Sequence, residues 1–392
     1  MRDKKKMAKT LGDRLRGDGI KSLSVGKRDT PLWKGPYEDG ITQSMLGRFL
    51  VCKERFRLYV CEGLKTSTGF DHKIEYGNMW HFCEELYHKG EPLHIINMLL
   101  IDYCRKLHET YPTAGEQIDK WYNVCWIQFP LYVEYWKRYN RTNNIYSLIE
   151  EKVFKCRYLL PSGRVVVLRG KIDSSHHKNK GIWLQENKTK GDIREDNIRR
   201  QLRCDLQTMI YLVALEDIKK EETVRGVFPY TKQSVNERWY SPIDGVLYNV
   251  VRRPLSGGKG TIIQKKGSKN VPPESKSQYY KRLQGVIKED ISSYFMRWEV
   301  PVTSNDVKNF KDRVLNPILE HLCDWWDWIS YCYQECKSPF ISNGTNNIHW
   351  LHPFGVSNTL NEGGSSDMDS FLETGNEVGL IEVNNLFPEL DV

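Results

Sequence analysis

Apolar residues recur at helical spacing through the first third of the chain and switch to strand-like alternation near residue 145. Residues 41–61, ITQSMLGRFLVCKERFRLYVC, put Leu46, Phe49, Leu50, Phe56 and Tyr59 on one stripe behind a Thr42 or Ser44 cap, which predicts an amphipathic helix. Residues 77–89, 93–110 and 116–139 predict three more helices, rich in Trp and Tyr, with Pro130 expected to kink or divide the last. Next, IYSLIEEKVFKCRYLL and RVVVLRGKID flank a Pro-Ser-Gly turn and read as a β-hairpin. A second turn, SSHHKNKG, leads into the strand IWLQENKTK. Residues 194–217 predict a long helix, TVRGVFPYT and GVLYNVVRR further strands, and 275–290 and 304–334 helices separated by the extended stretch SSYFMRWEVPV.

This order predicts an α/β protein in which a mixed central sheet of about five strands, crossed by a helix, lies between a helical N-terminal part and a helical C-terminal part. The expected segments are a flexible basic arm at 1–36, a helical N-terminal part at 37–144 and a core at 145–255. A basic, mobile Gly/Pro/Ser loop at 256–281, a helical C-terminal part at 282–355 and a disordered acidic tail at 356–392 complete the chain. No internal repeat is visible.

Composition narrows the class. The chain has 392 residues with 39% hydrophobic content, ample for a sizeable core. Its net charge of +8 is unevenly spread. The first 36 residues carry eleven Lys/Arg against four acids, and the last 37 carry eight acids with no Lys or Arg. A basic body with 12 Trp and 21 Tyr suits a polyanionic partner. No apolar run reaches the roughly 18 residues of a membrane span, and the charged N-terminus lacks the apolar region of a secretory signal. Its aspartates argue against a transit peptide. Ten scattered cysteines are too sparse for a disulfide scaffold and suggest reduced thiols in a cytoplasmic setting.

The candidate chemistry sits in GKIDSSHHKNKGIWLQENKTKG and LRCDLQTMIYLVAL. Asp173 ends one strand. Glu186 and Lys188 lie on the next, where period-2 geometry gives them one face and turns Asn187 away. Asp173, Glu186 and the backbone carbonyl of Asn187 are three hard oxygen donors suited to Mg²⁺ or Mn²⁺. Lys188 is placed to activate a water or to steady charge growing on a phosphate. The competing reading is a surface Glu–Lys pair on a hairpin. Gln207 and Tyr211, four residues apart, share a helix face in the segment after that strand.

The ordered set Gly-Lys-Ile-Asp, Glu-Asn-Lys-Thr and Gln-x-x-x-Tyr resembles the RecB-like branch of the PD-(D/E)XK nucleases. YGNMWHFCEEL is similar to that family's upstream Gly-x-x-x-His helix, and SMLGRFLVCKERFRLYV to its N-terminal helix. GVLYNVVRRP and SSYFMRWEV are similar to stretches of phage-type members. The resemblance covers about 41–340 and implies a restriction-endonuclease-like fold. It also implies that Asp173, Glu186 and His81 hold the metal, that Lys188 serves the attacking water, and that Gln207 and Tyr211 position the scissile phosphate. On composition alone, His81 among Trp80, Phe82 and Leu86 reads as a core histidine.

The expected function is therefore a metal-dependent deoxyribonuclease, an exonuclease of phage-type recombination, repair or replication, cytoplasmic or in the host cytoplasm if phage-encoded. The alternative is a nucleic-acid-binding or assembly subunit without cleavage. The acidic tail, ending NNLFPELDV, is the expected docking segment for a recombination, helicase or single-strand-binding partner. Lys259, Lys265, Lys266 and Lys269 are candidate phosphate contacts. Some relatives bind an iron–sulfur cluster. Here Cys52 or Cys61 with Cys323, Cys332 and Cys336 is the corresponding set, but it lacks a Cys-x-x-Cys pair and a cluster is not expected. SGGKGT lacks P-loop spacing, so no motor is expected. Glu150 and Glu151 are expected to be exposed, and His176 and His177 to occupy a solvated hairpin tip.

Overall fold

The computed structural model describes residues 30–51, 53–66, 70–191, 193, 205–225, 237–257, 261–334, 380–382, 385–387 and 390. Two compact units are present, each built from non-contiguous stretches. The first comprises residues 1–67, 153–170 and 308–392, and the second residues 68–152 and 171–307. Strands at 146–159 and 165–178 contribute to both units.

The central sheet has five strands in the order β2-β3-β4-β5-β6. They are β2 (Tyr146–Leu159), β3 (Val165–Lys178), β4 (Gly181–Lys190), β5 (Ile243–Arg252) and β6 (Phe295–Pro301). β3 and β4 form an antiparallel hairpin, β4 and β5 run parallel, and β6 returns antiparallel. A parallel pair needs a crossover, here supplied by the helix Leu206–Arg225 between β4 and β5. β4 is buried along seven consecutive residues, as expected of a strand covered on both faces.

The second unit carries α2 (His72–His88), α3 (Leu93–Thr110) and α4 (Gly115–Thr142), after α1 (Gln43–Val51) and β1 (Leu64–Thr66) of the first. Asp71 caps α2 by accepting the Lys73 N–H at 2.7 Å. Trp80 of α2 is fully buried and meets Phe129 and Tyr132 of α4 edge-on, at centroid distances of 5.5 and 5.0 Å. α4 continues undivided through Pro130. The crossover helix is α5 (Leu206–Arg225), and α6 (Lys276–Glu289) is anchored by a Ser275/Gln278 capping box. These helices flank the sheet and, with it, define an α/β fold.

In the first unit, α7 (Asn316–Gln334) brings Trp325 and Trp326 against Phe49, Phe56 and Trp33. The expected single helix at 41–61 is α1, a short helical turn at Lys53–Phe56 and a π-helical segment at Arg57–Cys61. Residues 380–382, expected within a disordered tail, form β7 (Leu380–Glu382) and pair antiparallel with β1. Phe387 is buried beneath the Arg169 guanidinium, 4.1 Å from its ring centroid.

Two further expectations are corrected. SSHHK is not a turn but the end of β3, and the reversal is made by Asn179 and Lys180, both at positive φ. His176 is consequently 5% exposed and held neutral by burial, which pushes its pKa down to about 3. The start of TVRGVFPYT is the last turn of α5 rather than a strand, and its residues from 226 onward lie outside the described residues. No helix among the described residues is long and apolar enough to cross a membrane.

Candidate active site

Alternation along β4 separates two polar faces. Gln185 and Asn187 share one, with Gln185 Nε2 donating to Asn187 Oδ1 at 3.3 Å. Glu186 and Lys188 share the other, joined by an ion pair between Lys188 Nζ and Glu186 Oε1. The β3–β4 hairpin sets Asp173 beside them, its Oδ2 accepting the Asn187 N–H at 2.9 Å. The first turn of α5 delivers Gln207, whose Oε1 accepts from Lys188 Nζ at 3.0 Å. Gln207 Nε2 in turn donates to the Tyr211 hydroxyl at 3.3 Å. The polar chain Glu186–Lys188–Gln207–Tyr211 thus runs from strand to helix, with Asp173 at its edge.

Electrostatics in this cluster are set by burial. Glu186 is 1% exposed, and its Oε2 has no hydrogen-bond partner among the described residues. Burial and the neighbouring Asp173 charge push its pKa up to about 7, while Lys188 and His81 pull the other way. Asp173 is raised by burial too, opposed by the Asn187 N–H and by Lys188 and Lys171. Burial alone would lower Lys188, but Glu186 and Asp173 outweigh it and keep the ammonium charged. Burial and the two carboxylates hold the Tyr211 hydroxyl protonated.

His81 enters from α2. Its Nδ1 lies 3.6 Å from Glu84 Oε2, and 41% of its side chain is exposed. Glu84 was not anticipated from the sequence, although His81 and Glu84 stand three residues apart on one helix face, which was a readable signal. Glu84 is 1% exposed, and its Oε1 accepts from the Tyr132 hydroxyl at 2.7 Å. Asn249 Nδ2 reaches that hydroxyl at 3.5 Å, and Arg297 donates to Asn249 Oδ1 at 2.6 Å and to Gln185 Oε1 at 3.1 Å. This relay ties α2, α4, β4, β5 and β6 together behind the cluster.

A second acidic group lies alongside. Glu150 and Glu151 are half-buried in β2 rather than exposed, because β2 begins at Tyr146 and carries them into the sheet. Glu151 and Glu85 share Lys171 Nζ at 2.8 Å each, and Glu150 faces His88 Nδ1 at 3.1 Å. Burial pushes both Glu150 and Glu151 from 4.5 up to about 7, and pushes His88 from 6.5 down to about 4. Between those values the folded chain retains two carboxyl protons that the unfolded chain has released, so stability falls as pH rises from about 4.5 to 7. His88 acts oppositely, since its folded form lacks a proton that the unfolded form binds between about 4 and 6.5. Glu186, also raised to about 7, adds a third carboxyl and His176, lowered to about 3, a second histidine, so three protons outweigh two. The urea midpoint without divalent cations is expected to be lower at about pH 7.5 than at about pH 5; equal midpoints would remove this pair from the account.

Other expected residues lie apart. Lys265, Lys266 and Lys269 are exposed on the strand-poor stretch after residue 261 and have no hydrogen bond or ion pair to the cluster among the described residues. Lys259, Cys52, Cys336, the Cys332 side chain and most of the acidic tail lie outside the described residues. Cys61 and Cys323 are buried. Among the described residues, no three His, Cys, Asp or Glu side chains close into a preformed metal cage. The donor chemistry nonetheless fits a hard divalent cation: two adjacent carboxylates of raised pKa, one with an orphaned buried oxygen.

No curated protein matches the chain at a significant level. A match over residues 41–328, well beyond half of the sequence and spanning every member of the cluster, shows that this chain belongs to the PD-(D/E)XK nuclease superfamily.

Proposed function

We propose that the protein is a deoxyribonuclease that hydrolyses phosphodiester bonds at the Asp173–Glu186–Lys188 cluster with Mg²⁺ or Mn²⁺, and that it works as an exonuclease. Superfamily membership makes a hydrolytic, metal-dependent nuclease the class of activity. The observation that carries the assignment to this cluster is the buried Glu186 oxygen without a partner, beside Asp173 and a lysine held by both strand and helix.

Asp173 and Glu186 would hold the cation, with His81 and the Asn187 carbonyl as further donors. When bound, a divalent ion lowers the pKa of a water and neutralises charge on the phosphate. Lys188 stays protonated, so it orients the attacking water and meets negative charge on the phosphoryl oxygens rather than accepting a proton. Gln207 fixes the direction of the Lys188 ammonium, and Tyr211 fixes Gln207. The products expected are a 5′-phosphate and a 3′-hydroxyl. The RecB-like motifs and the similarity to phage-type stretches support a role in DNA recombination, repair or replication.

Loss of Gln207 frees the ammonium without removing it. Gln207→Ala is expected to slow cleavage by ~10- to 100-fold, and Tyr211→Phe by less, in single-turnover assays. Equal rates for Gln207→Ala and wild type would remove Gln207 from the site. The functional reading is tested with end-labelled linear and closed circular DNA in Mg²⁺ or Mn²⁺. Degradation of linear DNA alone is expected. Nicking of circles would make the enzyme an endonuclease, and intact DNA of both kinds would favour a binding or assembly subunit.

A further inference from the structure

Arg253 follows the last residue of β5 and is 7% exposed. Its Nε and Nη1 are buried without a hydrogen-bond partner among the described residues. Among the described residues no ion pair reaches it; Tyr76 and Asp71 favour its charge, and Asp71 is engaged in capping α2. A buried guanidinium without an anion is costly, and removing the anion from such a pair is among the larger penalties in a folded protein. The position is also rigid. The Arg253 N–H donates to the Lys190 carbonyl at 2.8 Å, and Pro254 restricts its backbone. Gln128 Nε2, itself held by Tyr76, clamps the Arg252 carbonyl at 3.0 Å.

Further orphaned hydroxyls lie close by. Ser256, whose N–H donates to the Arg253 carbonyl, and Thr261, next to Ile262 whose N–H donates to the Pro254 carbonyl, have buried hydroxyl oxygens with no partner among the described residues. The start of α2, a 17-residue helix, lies alongside: burial first, then Arg253, Lys73 and Lys120, disfavour protonation of His72 there, against Asp71. His72 is stacked flat on Trp121, with centroids 5.1 Å apart. A cationic side chain and hydroxyls, beside a helix start whose first free N–H Asp71 already takes, are a donor set for a tetrahedral oxyanion.

We propose that Arg253, with the turn that follows it and the start of α2, seats a phosphate of the nucleic-acid strand away from the scissile bond. This rests on the nuclease reading and adds to it a fixed register. Lys190, which Arg253 adjoins, is two residues past Lys188, about 7 Å along the strand. Along α2, His72 is nine residues from His81, about 14 Å. At about 3.4 Å of rise per nucleotide, the seat lies roughly two to four nucleotides from the cut. The phosphate is either a phosphodiester within the strand or the phosphate of a 5′ end.

The test is fluorescence anisotropy with labelled oligonucleotides in Ca²⁺, comparing the wild type with R253Q across a salt series. R253Q is expected to bind about 10-fold more weakly, with the salt slope reduced by roughly 0.7–0.9. Equal loss with 5′-hydroxyl and 5′-phosphate oligonucleotides indicates an internal phosphodiester; loss confined to the 5′-phosphate indicates an end seat. In thermal melts, low-millimolar inorganic phosphate should raise the midpoint of the wild type above that in chloride of equal ionic strength, and should not do so for R253Q. Wild-type affinity and salt slope in folded R253Q would overturn the proposal. Should R253Q fail to fold, R253K carries the test, because lysine lacks the guanidinium fork. An undiminished phosphate response and DNA affinity in R253K would overturn the proposal equally. The two readings separate cleanly. A wild type that cuts while R253Q binds normally loses only the phosphate seat, and a wild type that never cuts while R253Q loses affinity loses only the nuclease.

Discussion

Glu186→Gln and Lys188→Met should each reduce DNA cleavage by about 10³-fold while leaving the fold intact. The reasoning differs for the two. Glu186 is buried with one oxygen on Lys188 and the other without a partner, and burial already penalises its charged form. An amide of the same shape removes that penalty, so thermal stability in the absence of metal should hold or rise. What the amide cannot supply is the anionic oxygen for the cation. Lys188→Met keeps the stem and deletes the ammonium, leaving Gln207 Oε1 and Glu186 Oε1 without their shared donor. The two groups act as one unit, so the double variant should be little worse than either single one. Single-turnover rates alongside melting curves decide this. Cleavage within 10-fold of wild type in either folded variant would place the chemistry elsewhere.

Glu84→Gln is the second large effect, and it is directed at metal affinity. Glu84 touches no reacting atom. It stands 3.6 Å from His81 Nδ1 and is itself held by Tyr132. Burial raises Glu84's pKa, against the Tyr132 hydrogen bond; a cation bound at His81 would draw the two within hydrogen-bond reach, where Glu84 would fix the ring's tautomer and direction, and losing such a partner typically costs ~10- to 100-fold in affinity. Calorimetric titration with Mn²⁺ should show that loss in Glu84→Gln, with the melting temperature without metal preserved. His81→Ala should lose at least as much. A purely structural Glu84 would give the opposite pattern: a lower melting temperature with unchanged Mn²⁺ affinity.

The parts of this site that were legible in the sequence are those set by local periodicity. Glu186 and Lys188 two residues apart on a strand must share a face, and Gln207 and Tyr211 four apart on a helix must do the same; the ion pair and the two hydrogen bonds realise both. Asp173 was readable because a hairpin needs only a short connection, although the turn was misplaced. Asn179 and Lys180, both at positive φ, make the reversal, which lengthens β3 and draws His176 into the core. Non-local pairing left no such trace. Nothing in Leu380–Glu382 foretells β1 as its partner more than three hundred residues earlier. Likewise, the relay from Glu84 through Tyr132 and Asn249 to Arg297 draws on four separate segments, and only its His81–Glu84 end follows a period.

The central claim is that phosphodiester cleavage depends on a divalent cation held by Asp173 and Glu186. It is tested most directly by following degradation of end-labelled linear DNA as Mg²⁺ or Mn²⁺ is titrated into the wild type, Asp173→Asn and Glu186→Gln, with EDTA as the zero point. The account predicts saturable, metal-dependent degradation by the wild type alone, leaving 5′-phosphate ends. Degradation that persists in EDTA, or that survives both substitutions at wild-type metal concentrations, would contradict it.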